Sequence, residues 1–167
     1  SFPSRIVCLT EETTEALYLL GEQWRIVGIS GFTVRPPRAR KEKPRVSAFI
    51  SADVPKILAL KPDLVLTFSD LQADIVAELI RANVAVHAFN QRDVAGILAM
   101  IRTLGALTGV TLKADMLAQS LARGWPNHRA ARGRRIAKAA CATGRAPNPI
   151  MPTAVDRPGC RRRVRRR

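Results

Sequence analysis

The chain has 167 residues, a formal net charge of +15 and 47% hydrophobic residues, which admits one globular domain with a real core and excludes a low-complexity or wholly disordered chain. The charge is unevenly placed: residues 1–120 carry 14 Lys and Arg against 12 Asp and Glu, whereas residues 121–167 carry 14 against one. No apolar run approaches the roughly 18 residues that cross a bilayer, so no membrane insertion is expected, and no basic-then-apolar signal segment precedes the first predicted strand.

Arg5 to Leu9 is the first apolar run and reads as a strand with Cys8 in the core. Thr10 stands where an N-cap belongs, ahead of Glu11, Glu12 and Glu15, since a hydroxyl can accept an orphan amide and carboxylates favour the positive helix end. Gly21 closes that helix. Ile26 to Ile29 is the second strand. Thr33 to Arg45 contains Pro36, Pro37, Pro44 and six basic residues, and this composition predicts a loop without regular structure. Val46 to Phe49 adds a short strand, and Asp53 caps a short helix through Leu60 with Pro55 in its first turn.

Lys61-Pro62-Asp63 is a turn that feeds the apolar run ending at Phe68, the pattern of a strand covered on both faces. Leu71, Ile75, Val76, Leu79 and Ile80 recur at helical spacing, and Asn83 suits a left-handed cap after them. Val84 to Phe89 is another strand; His87 within it is expected to be a core residue rather than a ligand. Val94, Ile97, Leu98, Ile101 and Leu104 mark a helix ending near Gly109, and Lys113 to Ala122 begins a further one. Strands alternating with helices predict an α/β fold, a Rossmann-like parallel sheet flanked by helices.

The pattern breaks after residue 122. From Gly124 onward there is no Leu, Glu, Phe or Tyr, and Arg, Ala, Pro and Gly make up 29 of 44 residues. So little apolar mass cannot offset the entropy of ordering, so residues 123–167 are expected to form a largely disordered basic tail. Its composition is also that of GC-rich codons read out of frame. Cys8, Cys141 and Cys160 have neither CxxC nor metal-ligand spacing, so no zinc site, other metal site or disulfide framework is expected.

"RIVCLTEETTEALYLLG", "RIVGIS" and "KPDLVLTF", in that order, resemble the amino-terminal lobe of the substrate-binding proteins of ABC importers for cobalamin and ferric siderophores. The resemblance covers residues 4–122 and implies a lobe, residues 1–122, that ends in the start of a helix connecting two lobes. It implies capture of a metal-chelate ligand in a cleft, delivery to an ABC permease, and a periplasmic or extracytoplasmic location. A second lobe is not visible, so the chain reads as truncated to one lobe, with severely weakened binding. No bond is made or broken, so neither an enzyme nor a resident cofactor is expected.

In open parallel sheets, ligands bind beyond the carboxyl ends of the strands. That rim comprises Thr10, Glu11 and Glu12 after the first strand, Ser30, Gly31 and Phe32 after the second, Phe49, then Phe68 and Ser69, and finally Asn90. Aromatics there suit a large flat or chelate ligand; the alternative is Phe closing the top of the core. Arg35 can meet ligand carboxylates, or belong to a solvated loop. Glu11 and Glu12 are explained as well by a helix start as by a site. The resemblance places Asp70 and Asp74 where the family presents a carboxylate to its permease; a helix N-terminal charge is the alternative. The arginine-rich end binds polyanions in a salt-dependent way. A small nucleic-acid-binding protein using that arm is therefore the competing function, although no docking fold or interleaved aromatics accompany it and no specific nucleic acid is expected.

Overall fold

A computed structural model of the chain describes residues 1–48 and 51–124. Five parallel strands form one sheet: β1 (Ile6–Cys8), β2 (Ile26–Ser30), β3 (Arg45–Ser47), β4 (Leu64–Phe68) and β5 (Val86–Phe89), in the order β3-β2-β1-β4-β5. The helices are α1 (Glu11–Leu19), α2 (Ala39–Glu42), α3 (Val54–Ala59), α4 (Ala73–Arg81), α5 (Val94–Thr108) and α6, residues 111–124. The expected α/β architecture is therefore present. The expectation of a disordered, out-of-frame tail falls on residues outside the described ones, except at 123 and 124, where α6 continues unbroken.

Two apolar layers cover the sheet, as strand alternation requires. Ile6, Cys8, Leu64 and Leu66 face Leu17 of α1, Met100 and Leu104 of α5, and Ala114 and Ala118 of α6. Val7, Leu9 and Val65 face Val54 and Ile57 of α3 and Ile75 and Leu79 of α4. Each fully buried Leu or Ile contributes about 1.5–3 kcal/mol, which identifies these layers as the main support of the fold. The run from Leu64 to Thr67 is buried throughout, as its composition predicts for a central strand.

The helix ends follow their sequence signals with one exception. Asp53 accepts from Lys56 N at 3.0 Å, and Asp93 from Gly96 N at 2.7 Å. Gly21 (φ 80°) and Asn83 (φ 60°) take the left-handed caps after α1 and α4, and Glu22 N and Val84 N close back onto Leu17 O and Leu79 O. Thr10 occupies the N-cap position of α1 but makes no capping bond; its hydroxyl lies 3.2 Å from that of Thr13.

Three other expectations are corrected. The stretch from Thr33 to Arg45 is not wholly irregular: it contains α2, because Ala39 is fully buried and Tyr18 Oη donates to Glu42 at 2.7 Å while Arg38 lies over the Tyr18 ring at 4.9 Å. Leu71 is 56% exposed rather than core because a 3-10 turn over Asp70–Gln72 shifts the helical phase before α4 begins, and Ile80 is 59% exposed because it lies beside the face of α4 that buries Ile75 and Leu79. His87 is only half-buried on an edge strand, its ring 4.4 Å from that of Phe89.

Candidate functional site

The strand order changes direction at β1 and β4. From β1 the chain turns to α1 on one face of the sheet, and from β4 it turns to α4 on the other. The two connections part at the carboxyl ends of these strands and leave a crevice there, the general ligand position of doubly wound sheets.

On the β1/β2 side the structure brings Thr10 and Glu11 together with Ser30 to Arg35. Glu11 Oε1 accepts from Arg35 N at 3.0 Å, which fastens the loop after β2 to the start of α1. Ser30 Oγ accepts from Phe32 N at 3.3 Å and shapes the turn through Gly31. Thr10 and Ser30 are buried, at 2% and 1% exposure, so they build the rim from beneath. Phe32 and Val34 stand 60% and 57% exposed above them. Glu12 and the Arg35 side chain are exposed too.

On the β4/β5 side Phe68 is half-buried and Asn90 is exposed. Ser69 N donates to Phe89 O at 2.8 Å, which ties the ends of β4 and β5. Ser69 has φ 54° and ψ −177°, a region that glycine alone occupies without strain; a non-glycine residue there costs about 1–3 kcal/mol and such strain collects at functional sites. Arg92 lies over the Phe68 ring at 5.8 Å and 3.7 Å from the exposed Asp70 carboxylate. Asp74 is exposed in the first turn of α4. Phe49 lies outside the described residues.

Gln72 joins the two sides. Its carboxamide is 1% exposed, its oxygen accepts from Phe68 N at 3.0 Å and its nitrogen donates to Leu9 O at 3.3 Å. Gln72, Arg92, Val34 and Leu71 were not among the expected site residues. For Arg92 a signal existed, two positions beyond Asn90 at the same strand end; for Gln72 there was none, because a polar residue at a helix start reads as solvated.

Among the described residues no group of three His, Cys, Asp or Glu side chains is placed to hold a metal ion. Cys8 is fully buried and burial pushes its thiol up to about 12, so it is an inert packing group. Trp24 precedes β2 and therefore lies at the amino end of the sheet, stacked under Arg25 at 4.3 Å, away from the crevice. A hollow of about 420 Å³ lies at the β3 edge between Arg45 and Lys56. No helix among the described residues is long and apolar enough to cross a membrane.

The sequence profile of the family described as periplasmic binding protein matches residues 6–131, through both sides of this crevice and past the expected tail boundary. The chain belongs to the periplasmic binding protein family. This periplasmic binding protein is 30% identical over 123 residues to the ABC transporter substrate-binding lipoprotein YvrC of Bacillus subtilis, an alignment covering 71% of the chain and 38% of that protein. It is 31% identical over 70 residues to the vitamin B12-binding protein of Pectobacterium carotovorum, covering 42% and 25%. The fold superposes on the periplasmic vitamin B12 binding protein BtuF of Vibrio cholerae with a TM-score of 0.69 at 22% identity, over 77% of the chain and 50% of that structure. The chain thus spans half or less of the length of each of these relatives.

Proposed function

We propose that this periplasmic binding protein offers the crevice between β1 and β4 to a metal-chelate ligand, a cobalamin or a ferric siderophore, as the substrate-binding component of an ABC importer. One observation carries the reading: Phe32 and Arg35 beyond β2, and Phe68 and Arg92 at the ends of β4 and β5, flank the switch point of the sheet from its two sides with exposed or half-buried side chains, inside the stretch that the family profile matches. An aromatic face and solvent-exposed guanidinium groups suit a broad chelate with polar edges. The relative of Pectobacterium is named for binding vitamin B12, and the lipoprotein of Bacillus subtilis for an ABC transporter, which supports the same ligand class and importer.

In this reading Phe68 and Phe32 provide apolar contact, Arg35 meets anionic groups of the chelate, and Thr10, Gly31, Ser30, Ser69 and Asn90 form the floor and sides. Glu11 holds the Arg35 loop in place, and Glu12 lies at the margin. Capture takes place outside the cytoplasm and changes no covalent bond. Asp74, and Asp70 beside Arg92, form the acidic corner that meets cationic side chains of the permease. A single open surface buries much less of a ligand than a closed cleft, so the lobe of residues 1–124, taken by itself, binds in the micromolar range or weaker.

Calorimetric titration with cyanocobalamin, hemin and a ferric hydroxamate, on the wild-type chain and on Phe68→Ala, tests this. Saturable binding of at least one chelate, weakened about tenfold by loss of the aromatic contact, is the expected result. No saturable binding of any of them up to about 1 mM would overturn it, because that affinity is below what one stacked contact and one ion pair provide.

A further inference from the structure

The hydrogen-bond ladder between β1 and β4 stops one rung early. Leu9 N donates to Leu66 O at 2.9 Å, and in a parallel ladder the next rung would run from Phe68 N to Leu9 O, since a residue's N–H and C=O bond to residues flanking its partner. Both groups are present and neither is bonded to the other. The Gln72 carboxamide takes both, accepting from Phe68 N and donating to Leu9 O. An amide has one strong acceptor and donors on the adjacent nitrogen, so it can stand in for the missing peptide partner on each strand without leaving either group unsatisfied.

We infer that Gln72 is a wedge: its buried carboxamide fills the rung that would otherwise close between Leu9 and Phe68, and so holds the two strand ends apart and fixes the position of Phe68. The wedge is set by the turn over Asp70–Gln72, which begins at the left-handed Ser69 and is tightened by Leu71 N donating to Ser69 Oγ at 3.3 Å. Backbone strain at Ser69 and the interrupted ladder are therefore parts of one device. Ser69 turns the chain back so that a side chain three residues later re-enters the sheet. Gln72 is a positioning residue: it lies beneath the surface, and its importance for binding rests on the crevice being the ligand site proposed above.

Two variants of the full chain test the wedge. In Gln72→Leu the rung is free to close. The Phe68 amide should stay protected from hydrogen exchange, amide resonances should shift over residues 9–14 and 68–72, and chelate affinity should fall about tenfold as the aromatic face is displaced. Gln72→Glu carries an oxygen where Leu9 O needs a donor. It should behave like the wild type only when protonated, so as pH is lowered from about 8 to 5 the rim resonances should converge on those of the wild type recorded at the same pH, a comparison that removes any titration, His87 included, shared by both chains. Loss of Phe68 protection in Gln72→Leu, or no titration in Gln72→Glu within that window, would overturn the wedge. Equal chelate affinity in wild type and Gln72→Leu would overturn its positioning role. A wild type that binds no chelate but whose variants show both exchange signatures would uphold the wedge and sink only the ligand reading.

Discussion

Gly28, the third residue of β2, should be the least tolerant glycine of the sheet. A Cβ there would stand 2.9 Å from Leu60 Cδ1 and 3.3 Å from both Val46 Cγ1 and Val7 Cγ2. The Leu60 methyl ends a flexible, half-buried side chain and can rotate away. Val46 and Val7, at 2% and 0% exposure, are β-branched and held on both sides. Overpacking of this kind costs roughly 1–3 kcal/mol, and replacing glycine in a strand recovers about 0.5–1 kcal/mol of chain entropy. Gly28→Ala should therefore lose about 1 kcal/mol, and Gly28→Val, whose branched side chain reaches the Leu60 stem as well, about 3 kcal/mol or more. Urea denaturation followed by far-ultraviolet circular dichroism measures both. Val46→Ala removes one of the two fixed obstacles, so Gly28→Ala in that background should cost about half as much, a coupling of about 0.5 kcal/mol in a double-mutant cycle. Strict additivity of the two substitutions, or a Gly28→Ala chain as stable as the wild type, would refute the close-approach argument.

Asp63 accepts from Ser4 N at 2.7 Å, Ser4 Oγ at 2.9 Å and Arg5 N at 2.9 Å, so partial burial, which would raise its pKa, is outweighed and the carboxyl is held below its usual value. A depressed native pKa stabilises above the unfolded value and the gain is lost as pH falls through the native one, so Asp63→Asn should cost about 1 kcal/mol at pH 7, discounted for exposure, with the gap closing below about pH 4 in thermal melts. In a chain carrying Cys141→Ser and Cys160→Ser, the buried Cys8 thiol should fail to react with a disulfide reagent at pH 8 until urea unfolds the protein; stoichiometric reaction of the native chain within seconds would contradict its burial. Tyr18→Phe should loosen the loop carrying α2, read as faster amide exchange over residues 39–43 with little change elsewhere; unaltered exchange there would show that Ala39 burial alone holds it.

How much of this was legible in the sequence depended on whether a residue's role is local. β4 could be read because an unbroken apolar run is what two covered faces demand, and the caps at Gly21, Asp53 and Asn83 could be read because each is decided within one turn. α2 was hidden: three prolines and six cations describe a loop, and only contacts from Tyr18, some twenty residues earlier in the chain, make one helical turn of it. Leu71 was placed in the core because the apolar period was started two residues too early, before the 3-10 turn. At the carboxyl rim, position alone placed Thr10, Ser30, Phe32, Phe68 and Ser69 at or just beyond strand ends, where the structure has them. Gln72 was invisible, since its meaning lies in the register of two strands it does not belong to.

Folding and binding draw on different residues in this lobe, and the places where local rules fail show where they separate. The side chains of the two sheet layers are at most 8% exposed, whereas Phe32, Val34 and Leu71 at the carboxyl rim exceed half. Solvent-exposed apolar groups add little to folding, and those at the strand ends are available to a ligand. The same rim holds an N-cap threonine that does not cap, a serine in glycine's backbone region and a ladder interrupted by a side chain. Elsewhere Asp53 caps as expected, Asp93 caps as well, and Gly21 and Asn83 terminate their helices. Departures from local preference are not confined to this rim, since Lys61 also takes a positive φ of 47° before β4, but three of them fall together where the ligand is proposed to bind. Thr10 illustrates the exchange: its hydroxyl is spent on Thr13 and its carbonyl on the hydroxyls of Thr13 and Thr14, so its side chain does not cap the first-turn amides of α1, at the edge of the crevice where the ligand is proposed to sit.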